Sequence, residues 1–261
     1  MSADFLESLF GLQGQVAVVI GGTGVLGGAL CEGLARAGAA IVVSGREQDR
    51  ADTRARELTA LGIDSIGVAV DSTSPDSLNA LLAKTLAWRG KADILVNCAG
   101  VNSATPYADI TPEDWHRVVD GNLTATHMAC QVFAPAMARQ IDGGSILNIG
   151  SVTAHLPLSR VFAYAAAKAA VVNLTKNLAR EYAPHKVRVN VLCPGFFPAE
   201  QNRKILDKER VDHIVKGTPM ARFGEPQELI GAALLLLSRR AGSYLTGADL
   251  YVDGGFTSCR F

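Results

Sequence analysis

The sequence predicts an α/β protein built on one doubly wound parallel sheet with helices on both faces. Short β-branched runs alternate with helical stretches along nearly all of its 261 residues, the pattern of repeated βα units. Apolar residues make up 48% of the chain but aromatic ones only 6%, so the core must be built from Val, Leu, Ile and Ala. No linker, internal repeat or low-complexity segment interrupts the pattern, which predicts one domain over residues 1–261.

The elements follow in order. Gln15 to Ile20 (QVAVVI) is a strand that runs into a glycine-rich turn, and a helix follows from about Leu26 to Ala37, stopped by Gly38. Ala40 to Val43 is the second strand and Arg50 to Leu61 a charged amphipathic helix. Ile66 to Val70, Pro75 to Arg89 and Ile94 to Val96 supply strand, helix and strand again. One long helical region covers Pro112 to Arg139, and Ser145 to Ile149 is the fifth strand. Tyr164 to Glu181 is a helix, Val187 to Leu192 a strand, Glu225 to Leu237 a late helix and Asp249 to Val252 a final strand. Right-handed crossovers then place every strand-to-helix turn along one edge of the sheet, where such proteins bind ligands.

Bulk properties exclude several function classes. The 25 Lys and Arg balance the 25 Asp and Glu, so no global charge attracts nucleic acid or an anionic membrane. The longest apolar candidate, Leu229 to Leu237, is far too short to span a bilayer, and a secretory leader is not expected at the N-terminus. Cys31, Cys98, Cys130, Cys193 and Cys259 show no C-x-x-C spacing; they read as reduced, buried thiols of a cytoplasmic protein with no metal site.

The turn Gly21-Gly22-Thr23-Gly24-Val25-Leu26-Gly27-Gly28 lies between a strand and a helix. Small residues there let backbone amides approach a pyrophosphate at the helix N-terminus, a Rossmann-type arrangement. Gly21, Thr23, Gly24, Val25, Leu26 and Gly27 are the candidate contacts. The second strand ends Ser44-Gly45-Arg46 with no acid at positions 44 or 45. An arginine suits a ribose 2′-phosphate, so NADP(H) is favoured; Glu47 leaves NAD(H) possible. Asp71 and Ser72 are placed to contact the adenine, and Asn97, Ala99 and Gly100 to pass close to the cofactor ribose.

Tyr164-Ala-Ala-Ala-Lys168 follows Ser151 by thirteen residues. Positions i and i+4 share a helix face, so the Lys168 ammonium is expected beside the Tyr164 hydroxyl, lowering its pKa toward the physiological range. Ser151, delivered by the preceding strand, can hydrogen-bond the same substrate oxygen.

These pieces occur together with Asn-x-Ala-Gly after the fourth strand, Asn122, and Pro194-Gly195. In this order and spacing the chain resembles the short-chain dehydrogenases/reductases over nearly its whole length. The resemblance implies a nicotinamide cofactor, a homotetramer or dimer, and catalytic roles for Asn122, Ser151, Tyr164 and Lys168. Pro194, Gly195 and Phe197 complete the implied cofactor set, joined by Tyr164 and Lys168. Four positions depart from the family pattern. Ile20 stands for a threonine, Val25 for the middle glycine, where its Cβ would crowd the pyrophosphate unless Gly24 supplies freedom, Cys98 for an asparagine, and Gly150 for a serine.

The stretches around Gly24–Gly27, His155–Tyr164, Pro194–Arg203, Thr218–Pro226 and Val252–Phe256 are similar to members acting on sugar acids, such as mannonate/fructuronate or ketogluconate oxidoreductases. Residues 196–223 would form a substrate lid, with Gln201 and Arg203 able to bind hydroxyls and a carboxylate. His155 and Arg160 join Ser151 and Tyr164 as candidate substrate contacts. The alternatives are reduction of a 3-oxoacyl thioester on acyl carrier protein, broad carbonyl reduction, or a non-catalytic cofactor-sensing protein, against which the intact Ser151, Tyr164 and Lys168 argue.

Overall fold

A computed structural model describes residues 3–197 and 208–258. Seven parallel strands form one sheet in the order β3-β2-β1-β4-β5-β6-β7. They are β1 Val16–Ile20, β2 Ala40–Gly45, β3 Ser65–Ala69, β4 Ile94–Asn97, β5 Gly144–Ile149, β6 Val187–Pro194 and β7 Asp249–Val252. The winding runs outward from β1 to β3, then restarts on the other side of β1 with β4. Between those two halves lies a crevice at the carboxyl ends of β1 and β4.

Alternation along each strand sends side chains to two cores. Ala17 and Val19 of β1 join Leu30 and Leu34 of α2 (Val25–Arg36) and Leu236 and Leu237 of the late helix. Val16, Val18 and Ile20 face the other way, onto Leu78 and Leu81 of α4 (Pro75–Arg89) and Phe133 and Met137 of α6 (Ala125–Ala138). Helix α3 (Gln48–Ala60) packs on β2 and β3, and α7 (Phe162–Tyr182) on β6.

The expected strands all form, with shifts of one or two residues at their ends. Four helical segments differ from expectation. The region 112–139 is not one helix: α5 (Pro112–Val119) passes through a π-turn at Asp120–Thr124 before α6 begins. Within that turn Asn122 donates Nδ2–H bonds to both Val118 O (2.8 Å) and Val101 O (2.7 Å), a side-chain competition that interrupts regular helix. The late helix opens as a 3₁₀ turn, Pro226–Leu229, with a capping box between Glu225 and Glu228, before α9 (Ile230–Leu237). Two helices lay outside the expected set, α1 (Ala3–Phe10) and α8 (Lys208–Gly217). Among the described residues no helix is long and apolar enough to cross a membrane.

Arg188 of β6 ties the end of α9 to the sheet. Its guanidinium donates to Leu236 O (2.6 Å), Leu237 O (2.9 Å), Ser238 O (3.1 Å) and Leu245 O (3.1 Å). Burial pulls its pKa down to about 10, still far above neutrality. Arg188→Ala strips four part-buried carbonyls of their donor, so a loss of about 2–4 kcal/mol is expected, read as a lowered Tm in calorimetry.

Candidate active site

The glycine-rich turn is shaped by two close approaches. Gly21 has φ +87°, and a Cβ there would lie 2.6 Å from Ala99 N; a Cβ on Gly27 would lie 2.1 Å from Gly21 O. Ser44 O holds the turn by accepting the amides of Gly21 (2.8 Å) and Gly22 (2.9 Å), which replaces the side-chain tie lost with Ile20. No side chain caps α2, so its first-turn amides remain available to an anion. Val25 is the first helical residue and 41% exposed, and Gly24 has an ordinary φ of −84°. The left-handed freedom expected at Gly24 therefore sits at Gly21. Thr23 packs against Gly45, while Leu26 borders the apolar core behind the turn.

Other cofactor-site expectations are met unevenly. Ser44 is fully buried and its hydroxyl donates to Val68 O (2.7 Å), so it braces the turn and its side chain does not face a ligand. Asn97 is also buried: Nδ2 donates to Asn148 Oδ1 (2.8 Å) on the paired strand, with Cys130 Sγ alongside (3.4 Å). Its amide nitrogen is thus engaged within the sheet, while Oδ1 is buried without a partner. Phe197 is buried against Gly224. Arg46 is exposed near Asp71, whose carboxyl is held below the usual range by hydrogen bonds from Thr73. Ser72 adjoins it, part-buried. Glu47 pairs with Arg50 at 3.5 Å, and Arg50 in turn reaches Thr23 O at 3.5 Å. Ala99 and Gly100 lie part-buried behind the turn, and Gly195 N donates to Val252 O (2.9 Å) just past Pro194.

Four groups converge at the ends of β4, β5 and α7. Ser151 caps a short 3₁₀ turn, Val152–Ala154, where its Oγ accepts from Thr153 N (3.2 Å). The Tyr164 hydroxyl lies beside the Ser151 side chain, which pulls its pKa down. Lys168 is buried; its Nζ donates to Ile149 O at 2.7 Å and lies 5.4 Å from the centre of the Tyr164 ring. Asn122 Oδ1 is buried with no hydrogen-bond partner, and a Cβ on Gly100 would stand 2.6 Å from it and 3.8 Å from Lys168 Nζ. An orphaned amide oxygen and a buried ammonium thus flank one glycine.

The electrostatics correct the expectation for Tyr164. Burial pushes the phenol up to about 12, outweighing the hydrogen bond from Ser151, which pulls it down. The same desolvation lowers Lys168 to about 8. The ammonium lies over the ring and is committed to the Ile149 carbonyl, so it does not lower the phenol's pKa as the helix spacing implied. Cys98, beside this pair, is raised by burial to about 11 and stays a neutral thiol. Cys31, Cys98, Cys130 and Cys193 are all free; Cys259 lies outside the described residues.

The substrate candidates are more dispersed. His155 is exposed, with its ring against Tyr251 at 5.8 Å, and Arg160 is exposed with φ +61°. Gln201 and Arg203 lie outside the described residues. At the flanks of that segment Phe196 meets Phe256 (5.0 Å) and Phe223 (6.5 Å). A cavity of about 710 Å³ opens at the opposite edge of the sheet, but its charges satisfy one another. Arg239 bridges Asp93 (2.6 Å) and Asp142 (3.0 Å) there, and Arg188 serves carbonyls as described.

A parallel sheet with a glycine-rich anion cradle and a Ser-Tyr-Lys cluster at its carboxyl edge defines a nucleotide-dependent oxidoreductase. The chain belongs to the short-chain dehydrogenase/reductase family. A family profile described as enoyl-(acyl carrier protein) reductase matches residues 23–257. The chain is 36% identical over 250 residues to 2-dehydro-3-deoxy-D-gluconate 5-dehydrogenase of Formosa agariphila, covering 95% of this chain and 94% of that one. It is equally 36% identical to gluconate 5-dehydrogenase of Gluconobacter oxydans, with 95% and 97% covered. A crystal structure of a gluconate 5-dehydrogenase from Burkholderia cenocepacia, in complex with NADP and tartrate, superposes with a TM-score of 0.94 at 36% identity, covering 98% of this chain and all of that one.

Sequence reasoning missed the Ile149 carbonyl that holds Lys168, and Cys193 and Tyr251 beneath Ser151. No local motif marks them, because they meet through the β5-β6-β7 register.

Proposed function

We propose that the protein is an NADP(H)-dependent oxidoreductase that interconverts a ketone and a secondary alcohol on a sugar acid or polyol. The observation that carries this reading is the Ser151–Tyr164–Lys168 cluster beside the orphaned Asn122 oxygen. The sugar-acid relatives supply the substrate class.

The cradle fits a dinucleotide: the uncapped amides of α2 meet the pyrophosphate, and Arg46 meets a 2′-phosphate. Glu47, the acid that would favour a free ribose 2′-hydroxyl, is drawn onto Arg50. When bound, the nicotinamide supplies or accepts the hydride. Tyr164 gives its proton to the carbonyl oxygen in reduction and takes it back in oxidation, while Ser151 holds that oxygen. Lys168, seated on Ile149 O, would anchor the nicotinamide ribose. Asn122 Oδ1 accepts from a water that links Lys168 to solvent, which gives the buried oxygen a partner. In this reading the chain is one domain, and His155 and Arg160 are held as substrate contacts; the proposed contacts Gln201 and Arg203 lie outside the described residues.

We further place it in the cytoplasm as a homotetramer or dimer. Support comes from its free thiols and from exposed Tyr107 and Phe162, whose rings meet at 4.9 Å.

Purified protein, NADPH and a panel of keto-sugar acids, simple ketones and 3-oxoacyl thioesters test the reading. Turnover confined to acyl thioesters would move the substrate to the alternative, reduction of a 3-oxoacyl thioester. Arg46→Ala is expected to lower kcat/KM with NADPH about 10–100-fold and leave NADH unaffected, consistent with loss of a charge-assisted hydrogen bond. Equal losses with both cofactors would remove Arg46 from 2′-phosphate recognition.

A further inference from the structure

We propose that Cys193 is a positioning residue for Ser151, gripping from beneath the backbone that presents the serine hydroxyl. This inference rests on the oxidoreductase reading and names the support under its serine.

Cys193 lies near the end of β6, with none of its surface exposed, in register with Tyr251 of β7 and among Val171 and Val191. Directly over the sulfur is Gly150. A Cβ on Gly150 would sit 2.6 Å from Cys193 Sγ and 2.9 Å from Val191 Cγ2, so any larger residue collides. The departure at Gly150 and the thiol at 193 are therefore one fitted pair. Gly150 N is pinned to Leu192 O at 2.7 Å, which leaves the 150–151 backbone little freedom relative to β6.

The Ser151 amide and the Tyr251 hydroxyl both face the sulfur as donors, and each pulls the thiol's pKa down against the burial that raises it. Burial keeps the thiol neutral at physiological pH, so it acts through shape and weak acceptance, not as a nucleophile. On its far side the Tyr251 ring lies against His155. The contacts thus run Tyr251–Cys193–Ser151–Tyr164, from the edge strand to the proton donor. Ser151 pulls the Tyr164 pKa down, so loosening the serine should raise it.

Cys193→Ala, Cys193→Ser and Tyr251→Phe separate this role from simple packing. With NADPH and the best carbonyl substrate, Cys193→Ala is expected to reduce kcat about tenfold, as expected from slight misplacement of a catalytic group, and to leave the cofactor KM unchanged. The alkaline limb of its pH–rate profile should move to higher pH. Cys193→Ser should recover kcat to within about threefold, since an oxygen there can still accept from both donors. Should Cys193→Ala not fold, Tyr251→Phe keeps the thiol and must show a smaller kcat loss with the same pH shift. A variant set with lowered Tm but wild-type kcat and pH profile overturns the inference and leaves the oxidoreductase reading standing. A wild-type protein that binds NADPH yet reduces no carbonyl overturns both.

Discussion

Tyr164→Phe is expected to lower kcat roughly 10³-fold while cofactor affinity stays within about twofold, the size of effect general acid catalysis supplies. The substitution removes one oxygen and little else. The ring still lies under Lys168 Nζ, 5.4 Å from its centre, so the ammonium keeps its seat, and Ser151 Oγ keeps its bond from Thr153 N. What disappears is the hydroxyl beside Ser151 that hands a proton to a substrate oxygen held there. Single-turnover kinetics with NADPH and a keto-sugar acid measure the chemical step, and fluorescence titration measures cofactor binding. A rate within tenfold of wild type would remove Tyr164 from the reaction.

The second large effect is on stability and runs opposite to activity. Lys168→Met should abolish most turnover yet raise the stability of the ligand-free protein. Burial lowers Lys168 from 10.5 to about 8, so below pH 8 the fold holds a charge it disfavours by about 3 kcal/mol. Methionine fills the same channel without that cost, and losing the bond to Ile149 O returns about 1 kcal/mol. The net gain is about 2 kcal/mol near neutrality. The pH dependence has a definite sign. Between pH 8 and 10.5 the unfolded chain binds more protons at this position than the folded one, so wild-type stability rises with pH there. Tyr164 acts in a separate window: with its pKa raised from 10 to about 12, it contributes stability below pH 10 that is lost as pH climbs to 12. Urea titrations at pH 7 and 9 should show the variant's advantage shrinking at the higher pH. An advantage that is absent at pH 7 would mean the ammonium is compensated within the folded chain.

Much of this was legible in the sequence because the signals are local. Strand runs such as VAVVI are short, β-branched and bounded by glycine, and all seven appear where the pattern placed them. The i, i+4 spacing of Tyr164 and Lys168 did bring ring and ammonium together. What was not legible depended on neighbours distant in sequence. The Ser44 hydroxyl and the Asn97 amide nitrogen bond to adjacent strands, at Val68 O and Asn148 Oδ1, whose offset only the register reveals, and Asn97 Oδ1 is left without a partner. The Tyr164 pKa was misjudged because helix spacing reports proximity but not desolvation, nor the competing Ile149 carbonyl. Asn122 alone reads equally as a helix-kink residue, and the break at Asp120–Thr124 is fixed only by Val101 O, on a separate loop, which completes its pair of bonds.

The strand order has a consequence for biosynthesis. Ser151 and Tyr164 emerge from the ribosome well before Asp249–Val252, yet β7 is the strand that supplies Tyr251 on the flank of β6. A nascent chain that ends before residue 249 lacks the strand that flanks Cys193 beneath that serine. Reactivity is therefore expected to arrive only with the last strand of the sheet, and truncation before residue 249 should cost turnover.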